Sequence, residues 1–438
     1  MSTLPELPAL AVRGLGLFLP FGVLVALCLW RAPRHRETAA MIVASAWALC
    51  TLVPLNLYAT HVGWWTFHAE GALWLGLPVD LVLAWALLWG AVPALLLRLL
   101  PVPLVTVLLV WLDVVLMPLA APVVALGEWW LLGEMAGVTL CLIPALLLAF
   151  WTRRGLLPHT RMWAQALSAG VLMVALPVLV LATDPTTGIR IAPPGATESS
   201  ILGQFLALAA LPGLAAAREF AAVGRGTPLP YDPPDRLVTS GPYAYVRNPM
   251  QLAMVLVYLV LGLLHPALMV GALVGLVYGA GFAAWHEDGR LRERFGADWV
   301  AYRAGVRPWL PRWRPWPGRG EGTLYVAMDC GSCRGVGRWV AARAPTALRL
   351  RAAADHPEVL YRLTYESADG IRRSGVWALA RAMEHLHLGW ALTGWALSLP
   401  GPGHLVQLCA DAFGAGPRAS RQASVPVAHQ REAPAAGR

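Results

Sequence analysis

Nine long apolar runs, at roughly 9–30, 38–60, 72–98, 102–124, 129–151, 162–183, 200–222, 250–264 and 266–285, alternate with short polar loops. Most reach the ~20 residues that a helix needs to cross a bilayer. Their leucine and alanine content, with scattered Gly and Pro, favours helices over barrel strands. The pattern changes after residue 313. Beyond it, "TLYVAM" reads as a strand, while 334–343 and "VWALARAMEHLHL" carry helical spacing. From residue 417 the chain is polar and rich in Ala and Pro, so a disordered tail is expected. The periodicity therefore predicts a polytopic all-α membrane protein of about nine transmembrane helices with a small C-terminal α/β domain. The boundaries expected are 1–185 for the N-terminal helices and 200–313 for a second membrane domain with long polar loops. A linker at 314–321, the α/β domain at 322–416 and a tail at 417–438 complete the division.

Composition sharpens this picture. Of 438 residues 57% are hydrophobic and 13% charged, against about 25% charged in a soluble domain. The Lys and Arg residues also alternate between loops. "RAPRHRE" after the first run and "TRRGLLPHTR" after the fifth are basic, whereas "THVGWWTFHAEG" after the second has neither residue. Cytoplasmic loops carry the positive excess, which puts the N-terminus outside, and 218–249 and everything after 286 in the cytoplasm. The first eight residues carry no positive charge, so the first run is expected to remain as an uncleaved anchor. A net charge of +9 then reflects positive-inside bias and attraction to anionic lipid headgroups, with no call for nucleic acid. Composition suggests the bacterial cytoplasmic membrane.

The candidate chemistry begins at "SGPYAYVRNPM", residues 240–250. Ser240-Gly241-Pro242 signals a turn, and Asn248-Pro249 signals a helix start, with Asn as cap and Pro at the first helical position. A helix starting there turns its unpaired N–H groups and positive dipole end toward Arg247, where an anion would be favoured. The plainer reading is a capped helix whose arginine reaches the headgroups. Only His265-Pro266 separates the last two runs, so they should form a tight hairpin. It would return the chain to the same face at "HEDGRLRERFGADWVAYRAGVRPWLP", placing His286, Glu287 and Asp288 near Arg247 and Asn248. An anion-binding helix end opposite carboxylates suits a zwitterionic amino-acid group beside a cation, as in S-adenosylmethionine.

These two stretches resemble the isoprenylcysteine carboxyl methyltransferase and phospholipid methyltransferase superfamily of integral membrane enzymes. The matching residues are Gly241, Pro242, Tyr243, Arg247, Asn248, Pro249, Glu287, Leu291, Phe295, Gly296, Tyr302 and Pro311. The resemblance implies a donor site for S-adenosylmethionine between membrane helices and their cytoplasmic cap. By it, Tyr243, Asn248, Pro249, Gln251, Glu287, Asp288 and Leu291 bind the cofactor. Arg247 sits where methyl acceptor and sulfonium meet, with Glu287 as the second catalytic candidate, and the acceptor is hydrophobic or lipid-linked. Gln251 and Trp299 replace expected tyrosines, and Asp288 replaces a second Glu. Gly305 stands where the prenylcysteine enzymes have an Arg for the substrate carboxylate, which argues against a prenylcysteine substrate.

Six cysteines stand at 28, 50, 141, 330, 333 and 409. The first three lie in apolar runs and read as small packing residues. Cys330 and Cys333 form a C-x-x-C between a strand and a helix, where the helix N-terminus favours the thiolate. A permanent disulfide is not expected in the reducing cytoplasm, and a zinc half-site lacks its second pair. "MDCGSC", "SGVWALARAMEHL" and the later "LSLPGPGHL" resemble the DCC-type thiol-disulfide oxidoreductases. That likeness implies a thioredoxin-like fold, Cys330 as attacking thiol, Cys333 as resolving thiol and a cytoplasmic thiol partner; Ala327-Met328 replaces the family's Asp-Gly. Asp80, Asp113 and Glu134 lie inside apolar runs, where a carboxylate faces a partner or cavity and could line an acceptor pocket. The tryptophans at 64–65 and 129–130 are expected in interfacial belts.

Overall fold

The computed structural model describes residues 8–183, 186, 188–189, 191, 194–229 and 231–419, without the side chains of 282–287. The expected tail from 420 onward lies outside the described residues. Two compact units are present, Met1–Val238 with Met250–Arg290, and Thr239–Pro249 with Leu291–Arg438.

Among the described residues of the first unit, seven helices are long and apolar enough to cross a membrane: α1 (Ala9–Trp30), α2 (His35–Val62), α3 (Val79–Leu96), α4 (Val102–Ala120), α5 (Trp130–Arg154), α6 (Pro158–Thr183) and α7 (Ala196–Ala222). The two remaining expected spans are shorter, α8 (Pro249–Leu261) and α9 (Pro266–Gly281). Thirteen residues of α8 rise only about 20 Å, short of the ~30 Å hydrocarbon core. The count of nine is thus corrected to seven long helices and a short hairpin, because the chain leaves α8 before His265-Pro266. At the turn the His265 imidazole accepts a hydrogen bond from the Ala267 N–H at 3.2 Å.

Without a hydrophobic drive between helices in lipid, close packing of small residues holds a bundle together. α2 provides it with Ala40, Ala44, Ala48, Leu52 and Asn56, buried at four-residue spacing. The first four pack with Cys141, Leu142, Ala145, Leu146 and Ala149 of α5 in one core. Asp80 has a partner in α1, since Arg13 donates to both its oxygens at 2.8 Å. Glu37 likewise accepts from Arg98 at 3.0 Å and from the Arg34 N–H at 2.9 Å.

Two features were not legible in the pattern. Strand β1 (Trp65–Phe67) pairs antiparallel with a strand outside α4, Val124–Leu126. Between them in sequence, Leu73–Trp74 and Leu77–Pro78 form a small hairpin; the four strands are β1 to β4 in chain order. Trp65 is buried, donates to Asn56 Oδ1 at 3.0 Å and so belongs to the core rather than an interfacial belt, whereas Trp129 is exposed. Arg161, at the start of α6, is fully buried and pins the loop after α7. It donates to Asp232 at 2.6 Å, and Thr227 donates to the same oxygen at 2.9 Å.

The second unit contains a four-stranded sheet of β5 (Gly322–Val326), β6 (Leu348–Ala352), β7 (Thr364–Ser367) and β8 (Arg372–Ser374), in the order β6-β5-β7-β8. β5 is parallel to β6 and antiparallel to β7, and β8 is antiparallel to β7. The parallel crossover passes through a helix, Gly331–Ala341. Leu324, Val326, Val340, Leu363, Tyr365, Ala378 and Leu386 form the core. The strand and the helices predicted here are all present, each within a few residues.

Candidate functional site

The motif segment is folded by its own turn chemistry. Gly241–Ala244 makes a single 3-10 turn with Pro242 near its start, burying Tyr243. Beyond it the segment is clamped by the chain that follows the hairpin. The Arg247 N–H donates to the Arg307 carbonyl at 2.9 Å and the Asn248 N–H to that of Pro308 at 3.2 Å. In return the Arg312 N–H donates to Tyr245 and that of Trp316 to Ala244, at 2.9 and 2.8 Å. This reciprocal ladder explains why residues 239–249 group with the second unit.

Side chains reinforce the ladder. The Tyr302 hydroxyl donates to the Tyr243 carbonyl at 2.9 Å. Burial pushes the Tyr302 phenol upward, so it stays a neutral donor. The guanidinium of Arg247 lies 5.8 Å from the Trp299 ring centroid, and its Nη1 reaches the Arg303 carbonyl at 3.4 Å. Trp299, which departs from the family's Tyr, thereby supplies the best ring for a cation–π contact, about 0.5–2 kcal/mol. Gly296 takes φ +53° and ψ −124° inside the helix Ala284–Gly305, a conformation that only glycine adopts without strain. The Phe-Gly step of the motif is therefore a break that ends one helical segment and starts the next. At Gly305 a Cβ would overlap the Trp316 indole, which accounts for the absence of an arginine there.

The candidate cofactor residues divide between the units. Tyr243, Arg247, Asn248, Pro249 and Leu291 fall in the second, and Gln251, Glu287 and Asp288 in the first. The Glu287 side chain lies outside the described residues. Gln251, in the first turn of α8, has a buried Oε1 with no hydrogen-bond partner among the described residues. α8 packs on α6 and α7 through Val257 and Leu261 with Ala209 and Val178. No sequence signal singles out Tyr245. Its hydroxyl donates to the Glu384 carbonyl at 3.1 Å and its ring meets Trp395 edge-on at 5.7 Å. Glu384 is itself held by Arg381 at 2.9 Å, and Arg319 donates to its carbonyl at 2.7 Å. Residues 314–321, read as a linker, thus include buried Arg319 and half-buried Trp316.

Cys330 caps the helix Gly331–Ala341, its sulfur accepting from the Cys333 N–H at 3.5 Å. The Ser332 hydroxyl, 3.2 Å from that sulfur, and then the Cys333 N–H lower its thiol to about 7. Burial, then the neighbouring Cys330, pushes Cys333 up to about 11. Both are free thiols. They open on a cavity of about 430 Å³ that also exposes Tyr361, Arg362, Gln407 and Arg418. The two sulfurs therefore differ in ionisation, with Cys330 the more acidic thiol.

Compared with known families, residues 206–298 match the family model of phospholipid methyltransferases. The match runs from α7 through the motif segment and hairpin into the helix Ala284–Gly305. No curated protein and no solved structure matches the chain.

Proposed function

We propose that this polytopic membrane protein is a methyltransferase that moves a methyl group from S-adenosylmethionine to a lipid-soluble or membrane-associated acceptor. The observation that carries the reading is the match of residues 206–298 to phospholipid methyltransferases, which encloses the Arg247-Asn248-Pro249 motif. The cofactor would be held by Tyr243, Asn248, Pro249, Gln251, Glu287, Asp288 and Leu291. The buried, unpartnered Oε1 of Gln251 fits that role, because a buried polar atom left without a partner costs about 1–3 kcal/mol. When bound, the cofactor supplies a methyl group already activated on a sulfonium. The chain then needs to position the acceptor, exclude water and orient the carboxylates toward the cofactor's ammonium. Arg247 is assigned to the acceptor side and Glu287 to the donor side. The Lys/Arg bias of the loops supports a site on the cytoplasmic face of the membrane.

Calorimetry with S-adenosylmethionine on the detergent-purified chain tests the reading. Saturable binding that is lost in Glu287→Ala is the expected result, followed by label transfer from the methyl-labelled cofactor into a lipid extract. Absence of binding in a folded sample would overturn it.

A second reading, thiol-disulfide exchange in the C-terminal domain, is favoured by the lowered Cys330 thiol beside the raised Cys333. The sheet order and the position of the C-x-x-C at the first helix support a thioredoxin-like arrangement. Cys330 would attack a partner disulfide and release one thiolate. Cys333 would then displace the second partner sulfur, handing over its proton and leaving an oxidised Cys330–Cys333 pair. Incubation with oxidised glutathione should yield that intramolecular disulfide by mass spectrometry; a stable glutathione adduct on Cys330 and no 330–333 disulfide would refute it.

A further inference from the structure

We propose that the carboxyls of Asp113 and Glu134 form a proton-binding site within the N-terminal bundle, taking one exchangeable proton and one water. This inference is independent of the methyltransferase reading. Asp113 lies on α4 and Glu134 on α5, exposed to 6% and 8% respectively. Both line one small cavity inside the bundle. Two carboxylates buried on one cavity with no cation lining it disfavour each other's charge, so one of them takes up a proton. Asp80 and Glu37, acidic groups on other long helices, are each matched by an arginine. Here, among the described residues lining the adjacent cavity, no other ionisable side chain is present.

The surroundings are built for a neutral, hydrogen-bonded occupant. The Trp85 indole N–H donates to Asp113 at 3.4 Å. Trp89 also lines the cavity, is 3% exposed, and its indole N–H has no partner among the described residues. The cavity measures about 20 Å³, enough for one water and for nothing larger. A water there would accept from Trp89 while donating to a carboxyl oxygen.

Backbone features converge on the same place. Trp89 sits in a π-helical turn, Leu87–Ala91, and a second π turn, Val138–Leu142, directly follows Gly137. Such turns concentrate at functional sites. Gly133 and Gly137 flank Glu134, and a Cβ on either would meet the rings of Trp65 and Trp89 respectively. The two glycines thus let the indoles close over the carboxyl pair.

Infrared spectroscopy of the full chain in lipid nanodiscs at pH 7 tests the proposal. A carboxylic-acid C=O band that shifts in D2O is expected, retained in Asp80→Asn and lost in the double variant Asp113→Asn/Glu134→Gln. Should the double variant misfold, dicyclohexylcarbodiimide on the wild-type chain reports the same state, because it modifies protonated carboxyls in apolar surroundings. Peptide mapping should then find the label on residue 113 or 134. A band that survives in the folded double variant, or wild-type protein left unlabelled at both residues, would overturn the proposal.

Discussion

Alkylation of Cys330 by iodoacetamide should follow a pH profile with its midpoint near 7, since the Ser332 hydroxyl and the Cys333 N–H stabilise the thiolate to about that value. At pH 7 about half of Cys330 is then thiolate, whereas a thiol at the ordinary value of 9.0 is only about 1% ionised. The gain in reactivity is smaller than this ~50-fold ratio because a less basic thiolate is a weaker nucleophile. With a Brønsted coefficient of about 0.4–0.5, the hundredfold fall in basicity costs roughly six- to tenfold in intrinsic rate. A net acceleration of about five- to eightfold at pH 7 remains, and above pH 10 the order inverts, with Cys330 the slower thiol by roughly six- to tenfold. Cys333, pushed up to about 11, is ionised to only about one part in ten thousand at pH 7. Its more basic thiolate recovers part of the deficit, so selectivity for Cys330 should be about 50- to 120-fold before burial is counted. Peptide mass spectrometry after timed alkylation between pH 5 and 10 gives both profiles, and Ser332→Ala should move the Cys330 midpoint upward. A wild-type midpoint near 9, or equal rates at both sulfurs, would refute the reasoning.

Three further outcomes are expected. Arg161→Met should destabilise the first unit by roughly 3–5 kcal/mol, since it leaves Asp232 buried without its partner; adding Asp232→Asn should recover part of the loss in denaturant unfolding in detergent. Gly296→Ala must place a Cβ residue at φ +53° and ψ −124°, at a cost of about 1–3 kcal/mol, and an unchanged unfolding midpoint would contradict that conformation. Gly305→Arg should lower the unfolding temperature because its side chain meets Trp316, and the additional substitution Trp316→Ala should relieve the clash while exposing the neighbouring aromatic cluster.

Much of the candidate site was legible because its signals are local. Gly241-Pro242 announces a turn, and Asn248-Pro249 announces a helix start whatever the rest of the chain does. The Gly296 break shows the limit of such signals. In sequence it is a motif glycine within a helical stretch, and only the backbone angles reveal why no other residue would serve. Trp299 was a departure from an expected tyrosine, and its meaning appeared when Arg247 was found over its ring. Trp65 was expected at an interface because aromatic pairs near helix ends favour it. Its burial depends on Gly133 and Asn56, which approach it only after folding.

Hydrophobic length and Lys/Arg distribution by themselves determined that this is a membrane chain with a less apolar C-terminal domain, because a bilayer imposes those demands on every spanning helix. Composition and local turn chemistry likewise located the chemistry-bearing stretch before residue 250 and the C-x-x-C at 330–333. Tertiary structure decided which partner each buried polar group received: Arg13 for Asp80, Asp232 for Arg161, and the Trp85 indole for Asp113. It also decided that the motif segment bonds to residues 302–316 and beyond rather than standing as the start of α8 alone. Pairing in low-dielectric surroundings is set by atoms brought within hydrogen-bond distance from far apart in the chain, and a one-dimensional pattern carries no such distance.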